Sequence, residues 1–327
     1  MTRRANLVAI SCLLAFAHPA QAFDCVKAST PVEKAICSDA ALKGLADSLG
    51  AAYAEVKAAS TAAEQKMLAR SQKRWISSRE QCPDAIEGLS ACVRNATEER
   101  LRLFTGAPES GPGVEGRIVP VFIVQDGTVK AYDLDISVLR FAEPKTPGQK
   151  KLNAIVNHII GQVKLGPHGQ DTVGVVYAQQ DGLSVSYASP QMMSVQHSFW
   201  SDEGGAHGSG GIENFNIDMK SGKLVEIGNF LPETAAAKLA ADCKIQIVTQ
   251  KREHLDGEPY DPATDDFLKD DVINEHIATL SRWTIKAEQI TITFDAYAIG
   301  SYAEGTYECR FPTAKVKAMA LSGALLP

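Results

Sequence analysis

Six cysteines placed behind an apolar leader constrain this chain more than any other feature. Arg3 and Arg4, an apolar stretch from Leu7 to Ala17, and Ala20-Gln21-Ala22 have the layout of a secretory signal peptide over residues 1–22, cut before Phe23. That stretch is shorter than the roughly 20 residues a membrane-crossing helix needs. No later segment is long and apolar enough either, so no transmembrane segment is expected and the mature chain is expected to be periplasmic or secreted. Cys12 leaves with the leader. Cys25, Cys37, Cys82, Cys92, Cys243 and Cys309 remain, and an even set in an exported chain reads as disulfides. No CxxC or HxxxH spacing calls for a metal, and no cofactor is expected. Four cysteines lie in the first third and two far downstream, which favours Cys25–Cys37, Cys82–Cys92 and Cys243–Cys309. Cys37–Cys82 is the rival pairing, because a helical hairpin would return Cys82 towards Cys37.

The 327 residues are enough for two domains. Residues 23–105 read as a small all-α helical hairpin or bundle. Thr30-Pro31-Val32-Glu33 supplies a cap, a first-turn proline and a glutamate at the third position. Ser38 or Asp39 can cap a second helix, whose Leu42, Leu45, Leu49, Tyr53 and Val56 share one face. Ser60-Thr61 breaks it. A third helix carries Leu68, Trp75 and Arg79 and stops before Pro83. A last one runs through Val93, Leu101 and Leu103. Residues 106–116, rich in Gly, Pro and Ser, read as a linker. Residues 117–327 are mixed. Strand-like runs are Ile118 to Val124, Val173 to Tyr177, Leu183 to Ala188, Ile212 to Asp218, Ile290 to Phe294 and Thr306 to Phe311, with turn chemistry at Asp126-Gly127 and Ser221-Gly222. Helical patterns cover Pro147 to Leu165, Thr234 to Glu253 and Asp266 to Leu280. Helices fall between groups of strands rather than alternating with them, which predicts an α+β domain with a mainly antiparallel sheet.

Charge is uneven. Residues 23–105 hold 12 basic and 11 acidic residues; the rest of the mature chain holds 19 and 28. That balance argues against nucleic acid as a partner and would draw a basic protein to the second part. Glu253 to Asp271 alone carries eight acids and one lysine. It reads as a solvated loop, without the regular spacing of a calcium site.

Two resemblances follow from particular residues. Asp24-Cys25 and Ser29 to Cys37, then Gln72-Lys73-Arg74-Trp75, Arg79, Cys82 and Cys92, resemble the LprI-like family of small exported helical domains, which includes a bacterial lysozyme inhibitor. Gly204-Gly205-Ala206-His207, Asn214 to Asp218, Ser221-Gly222-Lys223, Phe294-Asp295-Ala296-Tyr297, Ile299, Tyr302, Ala303 and Gly305 resemble the extracellular domain shared by the RsiV anti-sigma factor and PdaC-type peptidoglycan deacetylases. RsiV uses that domain to bind lysozyme. The cytoplasmic and membrane segments of the anti-sigma factor and the metal motif of the deacetylase have no counterpart in this sequence. The resemblances imply lysozyme or another muramidase as a protein partner, and peptidoglycan as a further one.

Candidate contact residues are Asp202, Glu203, His207, Tyr297, Tyr302 and Glu304. Asp202, Glu203 and His207 share a glycine-rich loop. A carboxylate beside a histidine suits acid–base work, but equally a tight turn whose polar groups satisfy the backbone. Tyr297 and Tyr302 beside Asp295 and Glu304 suit a protein or glycan surface, or packing over a sheet. Trp75 with Arg74 and Arg79 offers a cation–π cluster, with Trp75 at an apolar helical position and Arg79 placed to pair with an acid of a neighbouring helix. Gly208-Ser209-Gly210-Gly211 lacks the pattern of a nucleophile turn or a phosphate loop. The reading is an exported, disulfide-bonded envelope binding protein that is not an enzyme and blocks a muramidase. The alternative is a peptidoglycan- or glycan-binding module without inhibitor activity. A hydrolase acting through Asp202, Glu203 and His207 and an envelope scaffold are further alternatives.

Overall fold

The computed structural model of the protein describes residues 24–167, 174–254 and 259–327. The leader and its cleavage site lie outside the described residues, as does Val173. Four helices come first: α1 (Pro31–Ser38), α2 (Ala40–Ala59), α3 (Ala62–Arg79) and α4 (Leu89–Thr105). The Thr30 hydroxyl accepts from the Glu33 N–H at 3.1 Å while the Glu33 carboxylate accepts from the Thr30 N–H at 3.1 Å. This reciprocal cap starts α1 where the sequence predicts, and such a cap contributes about 1 kcal/mol. Asp39, not Ser38, caps α2, accepting from Ala41 and Leu42. Val32, Ile36, Leu42, Cys82 and Val93 form the small core at the disulfide end.

Cys25 pairs with Cys37 and Cys82 with Cys92, with Cα–Cα separations of 5.6 and 5.5 Å. Cys243 pairs with Cys309 at 5.2 Å. A helical region with disulfides therefore precedes a β-rich α+β region.

That second region holds β1 (Ile118–Gln125), β2 (Asp133–Phe141), α5 (Pro147–Gly161), β3 (Ala178–Ala188), β4 (Met192–Asp202), β5 (Ser209–Asp218), α6 (Glu233–His254), α7 (Asp270–Ala278), β6 (Trp283–Ile285), β7 (Gln289–Phe294), β8 (Tyr307–Pro312) and α8 (Thr313–Met319). The first five strands form one sheet in the order β1-β2-β3-β4-β5, and the last three a second, β6-β7-β8. Every pairing is antiparallel except β2–β3, the parallel pair that α5 bridges. One face of the large sheet is apolar: Ile136, Val138, Leu183, Val185, Val195 and Ile217 pack under Leu152, Ile155, Val156 and Ile159 of α5. The alternate residues of β4 and β5 meet the small sheet through polar side chains. The Gln196 amide donates to the Thr284 hydroxyl at 2.8 Å, that hydroxyl donates to Asn214 at 3.0 Å, and Asn216 donates to the Leu280 carbonyl at 2.8 Å.

Several expectations are corrected. Val173 to Tyr177 is not a strand in its described part; β3 starts at Ala178. Helix α5 ends at Gly161 rather than Leu165. Helix α7 begins only at Asp270, because the Asp265 carboxylate accepts from Phe267 and Leu268 and holds a turn ahead of it. Strands β2, β4 and β6 are additional to those predicted.

The helices sit against the other face of β1 and β2. Phe104 meets Phe122 edge-on at 6.1 Å, within an apolar cluster that also takes Leu49, Ala52 and Leu68. Arg74 fastens this junction, donating to Asp133 at 2.7 and 3.2 Å, to the Leu134 carbonyl at 3.0 Å and to the Gln125 carbonyl at 3.0 Å. Arg74→Ala is expected to destabilise the protein by about 2–3 kcal/mol in urea unfolding, because it removes several charge-assisted hydrogen bonds together. Arg74→Lys should restore only part, since an ammonium lacks the planar fork. An unfolding midpoint unchanged in Arg74→Ala would show that the junction does not depend on this residue.

Residues 106–116 run along the sheet rather than away from it. Gly106 ends α4 in the left-handed conformation (φ 68°), and a Cβ there would stand 2.8 Å from the Ile118 carbonyl oxygen. Beyond it, Glu109 N donates to Val185 O at 2.8 Å, Gly113 N to Ala188 O at 3.0 Å and the Ser110 hydroxyl to Ser186 O at 2.7 Å. The Ala287 N–H then donates to the Ser110 hydroxyl at 3.0 Å, joining this segment to the turn between β6 and β7.

Candidate functional site

At one end of the large sheet, the loop after β4 meets the loop after β7. The glycines that enter β5 permit a close approach: a Cβ on Gly208 would stand 2.3 Å from the Trp200 ring. Gly208 thereby brings His207 beside Tyr297 and Tyr302. The His207 ring stacks on Tyr302 with centroids 3.6 Å apart and planes 14° apart, while Tyr297 lies 5.9 Å from His207 and 5.6 Å from Tyr302. His207 Nδ1 is 2.8 Å from the Gly208 carbonyl, which can only accept, so Nδ1 carries the proton. In the neutral ring Nε2 then accepts from the Tyr297 hydroxyl at 2.9 Å. Both tyrosines are exposed, Tyr297 by 57% and Tyr302 by 38%. Tyr297 has φ 71°, the one positive value on a non-glycine among the described residues. A bulky residue held there stores backbone strain, and such strain gathers at functional positions.

The other candidates are placed differently. The Asp202 carboxylate accepts from Gly204 N at 2.8 Å and holds the turn. Glu203 contacts Lys164 and accepts from the Tyr132 hydroxyl at 3.1 Å. The Lys164 hydrogen bond draws the Glu203 carboxyl below its usual range. Asp202, Glu203 and His207 thus each take a different partner, and the acid–base constellation considered from sequence is not assembled. Glu304 turns inward. Its carboxylate accepts from the Tyr307 hydroxyl at 2.6 Å, from Ser301 N at 2.6 Å and from Lys251 Nζ at 3.1 Å. In the acidic stretch, Asp265 pairs with Lys251 at 2.8 Å and Asp270 with Lys244 at 2.6 Å. These carboxylates are structural as much as solvated.

The Trp75 cluster forms with altered membership. The Arg79 guanidinium lies 4.6 Å over the Trp75 ring, while Arg74 points to β2. Arg79 forms no ion pair among the described residues, contrary to the expected acid on a neighbouring helix. Its companion is Arg100, at 5.9 Å from the same ring. Arg100 stands in α4 at an unremarkable sequence position, and only the packing of α4 over β1 reveals it. The pair His197–Asp181, at 2.7 Å and buried beside Phe199, was likewise hidden, since the two residues lie on different strands.

Disulfide-bonded helices ahead of an α+β sheet define a protein suited to an oxidising, extracytoplasmic compartment; no helix among the described residues is long and apolar enough to cross a membrane. Residues 25–103 match the family described as Lysozyme inhibitor LprI, and residues 229–314 match Protein of unknown function (DUF3298). A solved DUF3298 member from Bacteroides fragilis is 13% identical, covers 63% of this chain and 94% of its own, and has a TM-score of 0.40. A DUF3298 protein from Pseudomonas aeruginosa is also 13% identical, with coverage of 63% and 93% and a TM-score of 0.37. No curated protein matches the chain.

Proposed function

We propose that the protein is exported to the periplasm or beyond, its leader removed before Phe23, and that it binds and inhibits lysozyme or a related muramidase without catalysing a reaction. The observation that carries this reading is the match of residues 25–103 to the lysozyme-inhibitor family, which covers both disulfides of the helical region and nearly all of its four helices. The mechanism is occlusion of the enzyme's cleft. The excess of acidic residues after residue 105 would speed encounter with a basic enzyme. The His207–Tyr297–Tyr302 cluster, with Asp202 and Glu203 on its loop, offers an aromatic contact of the kind that anchors protein interfaces.

The test is titration of the mature protein into a muramidase assay on purified cell walls, alongside direct binding at two salt concentrations. Stoichiometric loss of activity is expected, with slower association at the higher salt. In Tyr302→Ala, binding should weaken by about tenfold or more if the stack is the anchor. Full muramidase activity at saturating protein, with no binding signal, would discard the inhibitor reading. The second reading, a peptidoglycan- or glycan-binding module, is favoured by the exposure of Tyr297 and Tyr302 beside the stacked His207 ring, and cosedimentation with enzyme-free sacculi separates the two.

A further inference from the structure

Between α3–α4 and the helix-facing side of β2–β4 lies a cleft of about 530 Å³. An adjoining hollow of about 350 Å³ shares Arg100, Ser137, Gly182 and Ser198 with it. Its size is that of small-molecule sites, which run from roughly 300 to 1,000 Å³. Arg79 and Arg100 both line it and are 8% and 5% exposed. Arg79 Nε is buried with no hydrogen-bond partner. Arg100 donates to Gln72 at 3.0 Å and Ser71 at 3.1 Å, both neutral. Among the described residues neither guanidinium has a carboxylate within ion-pair distance. Desolvated charges left without counter-charge are strongly unfavourable, and arginine does not relieve this by losing its proton. Burial draws Arg100 down to about 10, which still leaves it charged at neutral pH.

Glu33 and Glu80 act on Arg79, and Asp135 on Arg100, only from beyond ion-pair distance. Glu109 is taken by Lys286 at 2.6 Å. Burial pushes the Glu99 carboxyl up, and likewise that of Asp135 in the adjoining hollow, against the pull of the nearby cations. The walls also carry hydroxyls. Ser137 and Ser184 line the cleft without a protein partner for their side chains among the described residues, and the Gln196 amide lies beside them. A bare ion would leave most of this volume empty. A hydroxyl-bearing ring with one carboxylate would fill it and satisfy both kinds of wall.

We propose that this cleft binds a small hydroxyl-bearing carboxylate of the sugar-acid class, its carboxylate lying between Arg79 and Arg100 and its hydroxyls meeting Ser137, Ser184 and Gln196. The site is separate from the His207–Tyr302 surface and does not depend on the muramidase reading. Two sources share this chemistry, a muramic acid released from the cell wall and a uronic acid of a polysaccharide. Titration calorimetry of the full mature protein would use N-acetylmuramic acid, glucuronic acid, neutral N-acetylglucosamine and inorganic phosphate. Saturable binding of one or both acids is expected, with N-acetylglucosamine and phosphate weaker by about tenfold or more; which acid binds tighter assigns the source. Arg79→Met should weaken binding of the acid by about tenfold or more. Ser184→Leu, which narrows the cleft but leaves both arginines, should weaken it while leaving the thermal unfolding midpoint close to that of the parent. No heat with either acid, equal binding of the neutral sugar or of phosphate, or unchanged affinity in folded Arg79→Met and Ser184→Leu proteins would overturn the proposal.

Discussion

Lys251→Met is expected to destabilise the protein by about 3–5 kcal/mol, the range for removing one partner of a buried ionic network. Lys251 is 4% exposed, and its ammonium is the cation shared by Asp265 and Glu304. Tyr260 donates to Asp265 at 2.7 Å and Tyr307 to Glu304 at 2.6 Å, so the network joins α6, the segment before α7 and the start of β8. Without the lysine, two carboxylates would share a half-buried site with no positive charge. The same group makes stability pH-dependent. Burial alone would push the Glu304 carboxyl up, but hydrogen bonds from Tyr307, Ser301 and Lys251 outweigh it and hold the group at about 2. A depressed folded-state pKa gives stability that is complete above the unfolded value of about 4.5 and is lost as pH falls towards 2. The parent protein should therefore lose thermal stability mainly between those limits. In Lys251→Met the loss should begin at higher pH, because one of the stabilising bonds is gone. Thermal melts across pH 2–7 measure both effects. Parallel curves for the two proteins would show that Lys251 does not hold Glu304 ionised.

Removing the Cys243–Cys309 bridge should have an effect of similar size. The two cysteines are 66 residues apart and link α6 to β8, both wholly buried in the core that contains Trp283, Phe294 and Phe311. Closing a loop of that length restricts the unfolded chain by about 4 kcal/mol in the chain-entropy account. The separations of 12 and 10 residues at the other two bridges correspond to about 3 kcal/mol each. A Cys243→Ala/Cys309→Ala protein should thus unfold at markedly lower denaturant than either double variant in the helical part. Alanine avoids burying an unpaired hydroxyl. If all three double variants shift the midpoint equally, loop length does not govern the stabilisation.

The parts of the fold legible from sequence are those where local chemistry and burial agree. Thr30, Pro31 and Glu33 announce α1, Pro83 follows the end of α3, and Ser221-Gly222 marks the turn after β5. Strand β4 was illegible for a physical reason. Its Ser194 and Gln196 face a second sheet through hydrogen bonds, so a buried strand carries no apolar alternation on that side. Strand β2 does alternate, with Leu134, Ile136 and Val138 inward, but Asp133 and Asp135 resemble loop chemistry until Arg74 and Arg100 are seen opposite them. The aromatic site is legible as separate segments: His207 and the two tyrosines stand out in the sequence, while their stacking depends on Gly208 passing Trp200. The arginine cleft is not legible, because its charges come from two helices and its neutral polar groups from three strands.

Residues 106–116 look in sequence like a tether between independent modules, yet they are laced to β3 and to the turn between β6 and β7. The apolar cluster of Leu49, Leu68, Phe104 and Phe122 also draws from both sides of that stretch. Severing the chain there would leave Phe104 on one fragment and Phe122 on the other, each stripped of its cover. A protease should therefore find little to cut at this glycine-rich stretch in the native protein. Fragments made by dividing it would carry sticky surfaces and be prone to associate non-specifically, so a binding signal from an isolated half would need the intact chain as its control.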